Sequence, residues 1–442
     1  MSCPTFNVPI GIPVFGLGFA SNNQLIIGGG GGASRSGVKN KLASYKIDIR
    51  RKDLEEDATF EFESEEDAPM CIDIHPTEMI AVTGVNEQES NIKIGMNKNC
   101  RVFKILEDKF EHQKSLSTLE SRKADDYQKV VRFSEDGTLF ATGTTDGNVN
   151  VFKFPSYESL CQRINVVEND EILDVDFNLE KEKLICVLRD ALKLINLRGK
   201  NTGQTVQTIP SSTLIKNMKS NFRAFRYGRK FTKDYGYAAL NTVTKPGGHI
   251  IKFDAYSFEK LKMTKVSNKP ITSFTISQDG ALIAIASADL SITLLDAQAL
   301  KVLVKIKDAH SFSITSIAIS PDRRILASAS ADNSCRIVSL PLQFSSQVTI
   351  NPLYTVLLAC AIAGLLIWVL SIVDLQPMID SSNNQHSIIN SVNSDSVQMV
   401  DTAASNINVI DNSKASPLLI PDTITATVVK ETDKVEKTKD EL

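Results

Sequence analysis

Tryptophan is nearly missing from this chain: Trp368 is the only one in 442 residues, and no Trp-Asp pair occurs. Cysteine is sparse and scattered, at 3, 71, 100, 161, 186, 335 and 360, with no Cys-x-x-Cys pair. That excludes a disulfide framework and a thioredoxin-type centre. Histidines 75, 112, 249, 310 and 386 are equally dispersed, so zinc-ligand spacing is absent. The first 34 residues carry no charge and three prolines, which excludes a cleaved leader with a basic front. No clustered His, Cys or Asp constellation exists, so no covalent catalysis is expected. Long helical periodicity is lacking over residues 1–346; short alternating runs between turn residues replace it.

One long apolar run is present, Leu353 to Val373, with 21 residues and no charge. As a helix it spans roughly 31 Å, close to the ~30 Å of a bilayer core. Twelve of its residues are Leu, Ile or Val, and Tyr354 and Trp368 lie toward its ends, where amphipathic rings prefer the interface. The sequence therefore predicts three parts: a domain over 1–346, a single anchor over 347–374 with its core at 353–373, and a polar tail over 375–442. Residues 374–442 hold 11 acidic and 5 basic side chains, a net of −6. Positive flanks favour the cytosol, so the large domain is expected there, a type II single-pass arrangement. The chain closes on Lys439, Asp440, Glu441 and Leu442. That motif is an endoplasmic-reticulum retrieval signal read by a lumenal receptor, which again places the tail in the lumen. The tail has no aromatic residue and reads as a low-structure segment.

Within 1–346 one unit recurs. It is clearest at 271–296 (ITSFTISQDGALIAIASADLSITLLD), 314–340 and 130–152. Weaker copies lie at 14–49, 70–105, 171–197 and 222–256. Seven units of roughly 40 residues predict an all-β, seven-bladed WD-repeat-like propeller, which must close into a ring to bury its faces. The opening FNVPI at 6–10 is expected to give a strand to the last blade. His310, with Ser328 and Asp332, reads as a structural turn histidine, and Asp146 and Asp289 as structural turn residues. The charged stretches 50–67 and 107–128 read as solvated linkers or as contacts, and RAFRYGRKFTK at 223–233 as a solvated blade edge or a lipid contact.

The anomaly is GGGGGASRSGVKNK at 28–41, between QLII and LASYKI. Five consecutive glycines are costly to order, yet they let backbone carbonyls and amides approach a ligand. Clustered carbonyls can hold a weakly hydrated monovalent cation. The phosphate-loop pattern fails because Gly37 is followed by Val38, and the dinucleotide fingerprint fails because a strand pattern follows. A flexible hairpin and a backbone-rich protein-binding loop both remain open.

The glycine run with Gly37, Val38, Asn40, Lys41 and Leu42, Pro69 in EDAPMCID, AHSFSIT at 309–315 and ISPD at 319–322 together carry a resemblance. Over residues 1–373 the chain resembles the endoplasmic-reticulum membrane exchange factors for the Sar-type small GTPase, which start COPII coat assembly. The resemblance implies guanine nucleotide exchange, a GTPase partner and no nucleic acid. It also implies the endoplasmic-reticulum membrane, with cycling through the Golgi. It implies a potassium ion held mainly by backbone carbonyls, with Gly29, Gly30, Gly31, Gly32 and Asn40 as candidates. Asn40, Val38 and Lys41 become the candidate exchange residues, and Gly37 and Pro69 supports. A membrane-anchored propeller scaffold without exchange activity is the alternative.

Overall fold

Turns of the Asp-Gly and Pro-Asp kind, spaced by five or six alternating residues, leave the chain little choice but short strands. The computed structural model describes residues 3–33, 37–168, 170–215, 218–344 and 352–372. Among these, 28 strands form seven antiparallel sheets of four. The chain opens with β1 (Thr5–Pro9). Blade 1 follows as β2 (Val14–Phe19), β3 (Gln24–Gly29), β4 (Lys41–Asp48) and β5 (Asp53–Glu61). Blade 2 begins at β6 (Cys71–Ile74). First strands of successive blades touch one another around the ring, and the first strand of the seventh blade, Ile314–Ile319, touches β2. The wheel is closed.

Closure follows the expected route. β1 pairs antiparallel with Ser334–Ser339, with Thr5 opposite Val338 and Pro9 opposite Ser334. Seven apolar clusters fill the wheel, each lying between neighbouring blades rather than inside one. Leu25, Ile27 and Ala43 of blade 1, for example, pack on Ile325, Ala327 and Ile337 of blade 7. A single blade therefore has no core of its own, and burial of apolar surface comes only from stacking.

Strands alternate in direction within a blade. First-to-second and third-to-fourth turns thus lie at one end of the wheel, here called the turn end. Second-to-third turns and the crossings to the next blade lie at the other, the crossing end. Segment 30–40 of blade 1 is at the crossing end.

His310 is the structural residue that was expected. Its Nε2 is 2.8 Å from Ser328 Oγ and its Nδ1 is 3.1 Å from Ser334 Oγ and 3.3 Å from Asp332. Burial lowers its pKa against the opposing pull of the Asp332 carboxylate. Burial also lowers those of His75, His112 and His249. A histidine held neutral in the fold keeps its contribution above the unfolded value near 6.5 and loses it as pH falls below. Melting temperature is therefore expected to drop between pH 7 and 5. The slope is at most about 1.4 kcal/mol per pH unit for each histidine. His310→Gln should flatten the slope in a calorimetric pH series, and an unchanged slope would refute this.

Three sequence readings are corrected. Stretches 50–67 and 107–128 are linkers only in part: Asp53–Glu61 and Phe110–Leu116 are the outermost strands of blades 1 and 2, and residues 62–67 and 117–127 are the connections that follow them. Outer strands face water on several sides, so their composition is that of a loop. The basic stretch 223–233 is not an edge either. Ser220–Tyr227 is the first strand of blade 5, and Arg226 is buried against Asp174 of blade 4. Arg229 reaches Asp176 at 3.1 Å, and Arg132 reaches Asp73 at 3.3 Å, so pairs like these stitch the first strands around the central cavity.

The backbone is helical over Pro352–Ile372, and side chains are described for 356–371, all exposed. Among the described residues no helix is long and apolar enough to cross a membrane. The tail 375–442 and its four closing residues Lys439, Asp440, Glu441 and Leu442 lie outside the described residues.

Candidate functional site

The glycine run divides between strand and turn. β3 extends two residues further than the sequence predicts, so Gly28 and Gly29 belong to the ladder, opposite Leu42 and Lys41. Close packing explains why they are glycines. A Cβ on Gly29 would sit 2.0 Å from the Pro13 carbonyl oxygen, and one on Gly28 would press Ile72 and Pro69 at 2.6 and 2.8 Å. The turn proper begins at Gly30, whose φ of +150° and amide bond to the Pro13 carbonyl (2.9 Å) set its direction.

Asn40 governs the turn. It is buried, and its side chain makes three hydrogen bonds. Its Oδ1 accepts from the Gly32 amide at 2.9 Å. Its Nδ2 donates to the Gly32 carbonyl at 3.0 Å and to the Glu66 carbonyl at 2.8 Å. One amide group thus pairs both polar atoms of Gly32 and ties the turn to the crossing between blades 1 and 2. Gly30 lies directly beneath: a Cβ there would meet Asn40 Oδ1 at 2.1 Å. Gly32 and Gly37 have φ of +75° and +77°, a region glycine enters freely. Gly31 is half-buried; Val38 is exposed.

The neighbouring lysines are engaged within blade 1. Lys39 meets Glu61 at 2.6 Å with both side chains in water, a pair of little stabilising worth. Lys41 is mostly covered and meets Glu56 at 3.0 Å, where Glu56 also accepts from the Tyr45 hydroxyl at 2.7 Å. Burial raises the Glu56 pKa, but the hydrogen bonds from Tyr45 and Lys41 outweigh it and leave it lowered.

Sequence reasoning missed the floor of the site. Asp67 Oδ1 is 3.2 Å from where a Gly32 Cβ would stand, and burial raises its pKa against amide bonds from Ala68 and Ala33. Glu66 is buried and paired with Arg101 of blade 2, whose guanidinium also lies 5.6 Å from the Phe62 ring centre. Pro69 is buried beneath Gly28. Asp67 and Pro69 share the segment EDAPM, so proximity to Pro69 was an available signal. Nothing in sequence pairs Glu66 with Arg101, 35 residues away.

The oxygens around the turn suit a potassium ion in kind. The Gly32 carbonyl accepts from Asn40 Nδ2, and the Asp67 carboxylate lies beside Gly32. Gly29 sits in the ladder and fits less well. Among the described residues no group of three or more His, Cys, Asp or Glu could hold a metal ion.

The family description "WD domain, G-beta repeat" matches residues 114–153 and 301–339. SEC12-like protein 2 of Arabidopsis thaliana is 22% identical over 289 residues, covering 62% of this chain and 66% of that protein. The guanine nucleotide-exchange factor SEC12 of Candida glabrata is 23% identical over 356 residues, covering 77% and 73%. The guanine nucleotide-exchange factor SEC12 of Rattus norvegicus is 26% identical over 196 residues, covering 42% and 46%. The matches to the first and third of these span less than two thirds of those proteins' own lengths. Among solved structures, a chain of the crystal structure of the mitotic checkpoint complex superposes with a TM-score of 0.56. Its identity is 11%, and the match covers 76% of this chain and 93% of that one. That likeness concerns the propeller fold alone.

Proposed function

We propose that this chain, which resembles the SEC12-like WD-repeat exchange factors, releases GDP from a small GTPase of the Sar type and so starts COPII coat assembly at the endoplasmic reticulum. One observation carries the reading: a turn poor in side chains is locked by a buried asparagine at the crossing end of a rigid wheel. Such a turn offers backbone amides and carbonyls that pair with a partner's backbone without reordering at the moment of contact. Exchange requires only that the factor bind the nucleotide-free GTPase more tightly than the loaded one. Each ~1.4 kcal/mol of that preference shifts release about tenfold. No proton transfer or nucleophile takes part.

The roles follow from position. Asn40 fixes the turn, and Val38 presents an apolar side chain from it. Gly37 allows the chain to reverse, Pro69 supports β3 from below, and Lys41 holds the start of β4 to Glu56. Potassium would be held by the carbonyls of Gly30, Gly31 and Gly32 with Asn40 and Asp67, and would supply fixed positive charge that keeps these oxygens together. The run 353–373 would anchor the protein in the membrane, with the propeller cytosolic and the tail, carrying its retrieval signal, lumenal.

The test is release of fluorescent GDP from a Sar-type GTPase by the full chain in liposomes, in potassium and in tetramethylammonium buffer. Release well above the spontaneous rate in potassium, several-fold slower without it, is expected, with the chain floating with the liposomes. Spontaneous-rate release in potassium would leave the scaffold reading. Equal rates in the two buffers would remove the ion, and a chain that does not float would remove the anchor.

A further inference from the structure

Blade 2 carries a second outgrowth beside the glycine turn. In blades 3 to 7 the second and third strands are joined by only three or four residues, for example 145–147 and 331–333. Blade 1 uses 30–40, and blade 2 uses 85–99, between Ile80–Gly84 and Cys100–Ile105. The two long crossings are neighbours on the same end of the wheel. Loops of this length in a compact domain usually serve binding.

The base of this outgrowth is rigid. Asn86, Asn97 and Asn99 are buried. Asn97 Nδ2 donates to Asn86 Oδ1 at 3.1 Å, and Asn97 Oδ1 accepts from the Glu87 amide at 3.1 Å. Asn86 Nδ2 donates to the Asp126 carbonyl at 2.8 Å. A single helical turn, Glu89–Lys93, follows, pinned by buried Ile92. Beyond it Ile94 and Met96 stand 63% and 60% exposed. Two large apolar side chains held in water on an ordered base are a feature of contact surfaces.

The outgrowth is bonded to the glycine turn's floor. The Asp67 amide donates to the Asn86 carbonyl at 3.0 Å, and Gln88 Nε2 donates to Glu63 Oε2 at 3.1 Å. Arg101, paired with Glu66, lies 3.9 Å from Glu87. Turn, floor and outgrowth form one continuous platform. Its floor, residues 62–70, carries four carboxylates, of which Glu66 is paired with Arg101, while Lys93 and Lys98 flank the tip.

We infer that Ile94 and Met96 form a second contact for the GTPase, seating an apolar patch of that partner. This rests on the exchange reading and adds to it a division of labour. The glycine turn acts on nucleotide release, and the blade 2 tip holds the partner. Interactions of the second kind strengthen binding of loaded and empty GTPase alike, so they set the concentration for half-maximal release and not the plateau.

The experiment measures release of fluorescent GDP against GTPase concentration with the full chain in detergent micelles. The expected result for I94S/M96S is a half-saturating concentration raised roughly tenfold with the plateau rate kept within about twofold. Phe231→Ser, at the turn end and 76% exposed, should change neither quantity. Met96→Lys provides a second variant, expected to weaken half-saturation at least as much. A double variant with a wild-type melting curve and unchanged half-saturation overturns the inference alone. A wild-type chain that releases no GDP overturns the exchange reading together with it.

Discussion

Asn40→Ala is expected to return GDP release to within a few-fold of the spontaneous rate while the propeller stays folded. The substitution removes three hydrogen bonds at once and strands the Gly32 amide, the Gly32 carbonyl and the Glu66 carbonyl. A buried group left unpaired costs about 1–3 kcal/mol, and a turn of glycines has large conformational freedom to regain. A local loss of ~3 kcal/mol would cut the ordered population of a marginal turn by roughly a hundredfold. The seven inter-blade clusters are untouched, so melting should shift by only a few degrees. Asn40→Asp separates the contributions: it keeps the acceptor toward Gly32 and loses both donors, and should fall between. Stopped-flow fluorescence with labelled GDP measures the rates. Release by Asn40→Ala as fast as wild type would sink the assignment of this residue.

Deleting residues 1–9 is expected to have the largest effect on stability, lowering the melting temperature by ten degrees or more or leaving the chain insoluble. The deletion removes β1 and its five-residue register with Ser334–Ser339. The local loss is modest. Lost hydrogen bonds and the packing of Phe6 and Val8 are partly offset by about 1–2 kcal/mol per residue of recovered backbone entropy. The larger consequence is topological. Ser334–Ser339 becomes an open edge, blade 7 holds less firmly to blade 1, and a wheel stabilised only by stacking loosens at its seam. Differential scanning calorimetry of the truncated chain tests this, with a synthetic TFNVPI peptide added in trans expected to recover part of the loss. A truncated chain that melts within two or three degrees of the parent would show that the seam carries little.

Much of this architecture is legible in the sequence because blade logic is local. Asp-Gly and Pro-Asp turns fix hairpins, and period-two alternation fixes faces, so the strands around 130–152, 271–296 and 314–340 can be read directly. Outer strands are different. Asp53–Glu61 has only Leu54 and Ala58 buried and Asp57 and Phe60 partly so, and its five exposed side chains report water and not strand geometry. Ser220–Tyr227 misleads for the opposite reason, since its buried Arg226 is neutralised by Asp174 of a neighbouring blade, which no local pattern can supply. In the site, Asn40 is reached through the resemblance carried by Gly37, Val38, Asn40 and Lys41, not through a pattern of its own. Asp67 and the Glu66–Arg101 pair are not, because their meaning comes from one blade crossing over another.

The pairing of Thr5 with Val338 has a consequence for synthesis. At roughly 5–20 residues per second, the first strand leaves the ribosome tens of seconds before its partner exists. Until then it is an apolar, edge-forming segment beside a half-built arc of blades, each showing an uncovered flank. The nascent protein therefore passes through a prolonged sticky phase, and shielding by a holdase chaperone during that interval would matter more to its yield than the equilibrium stability of the finished ring.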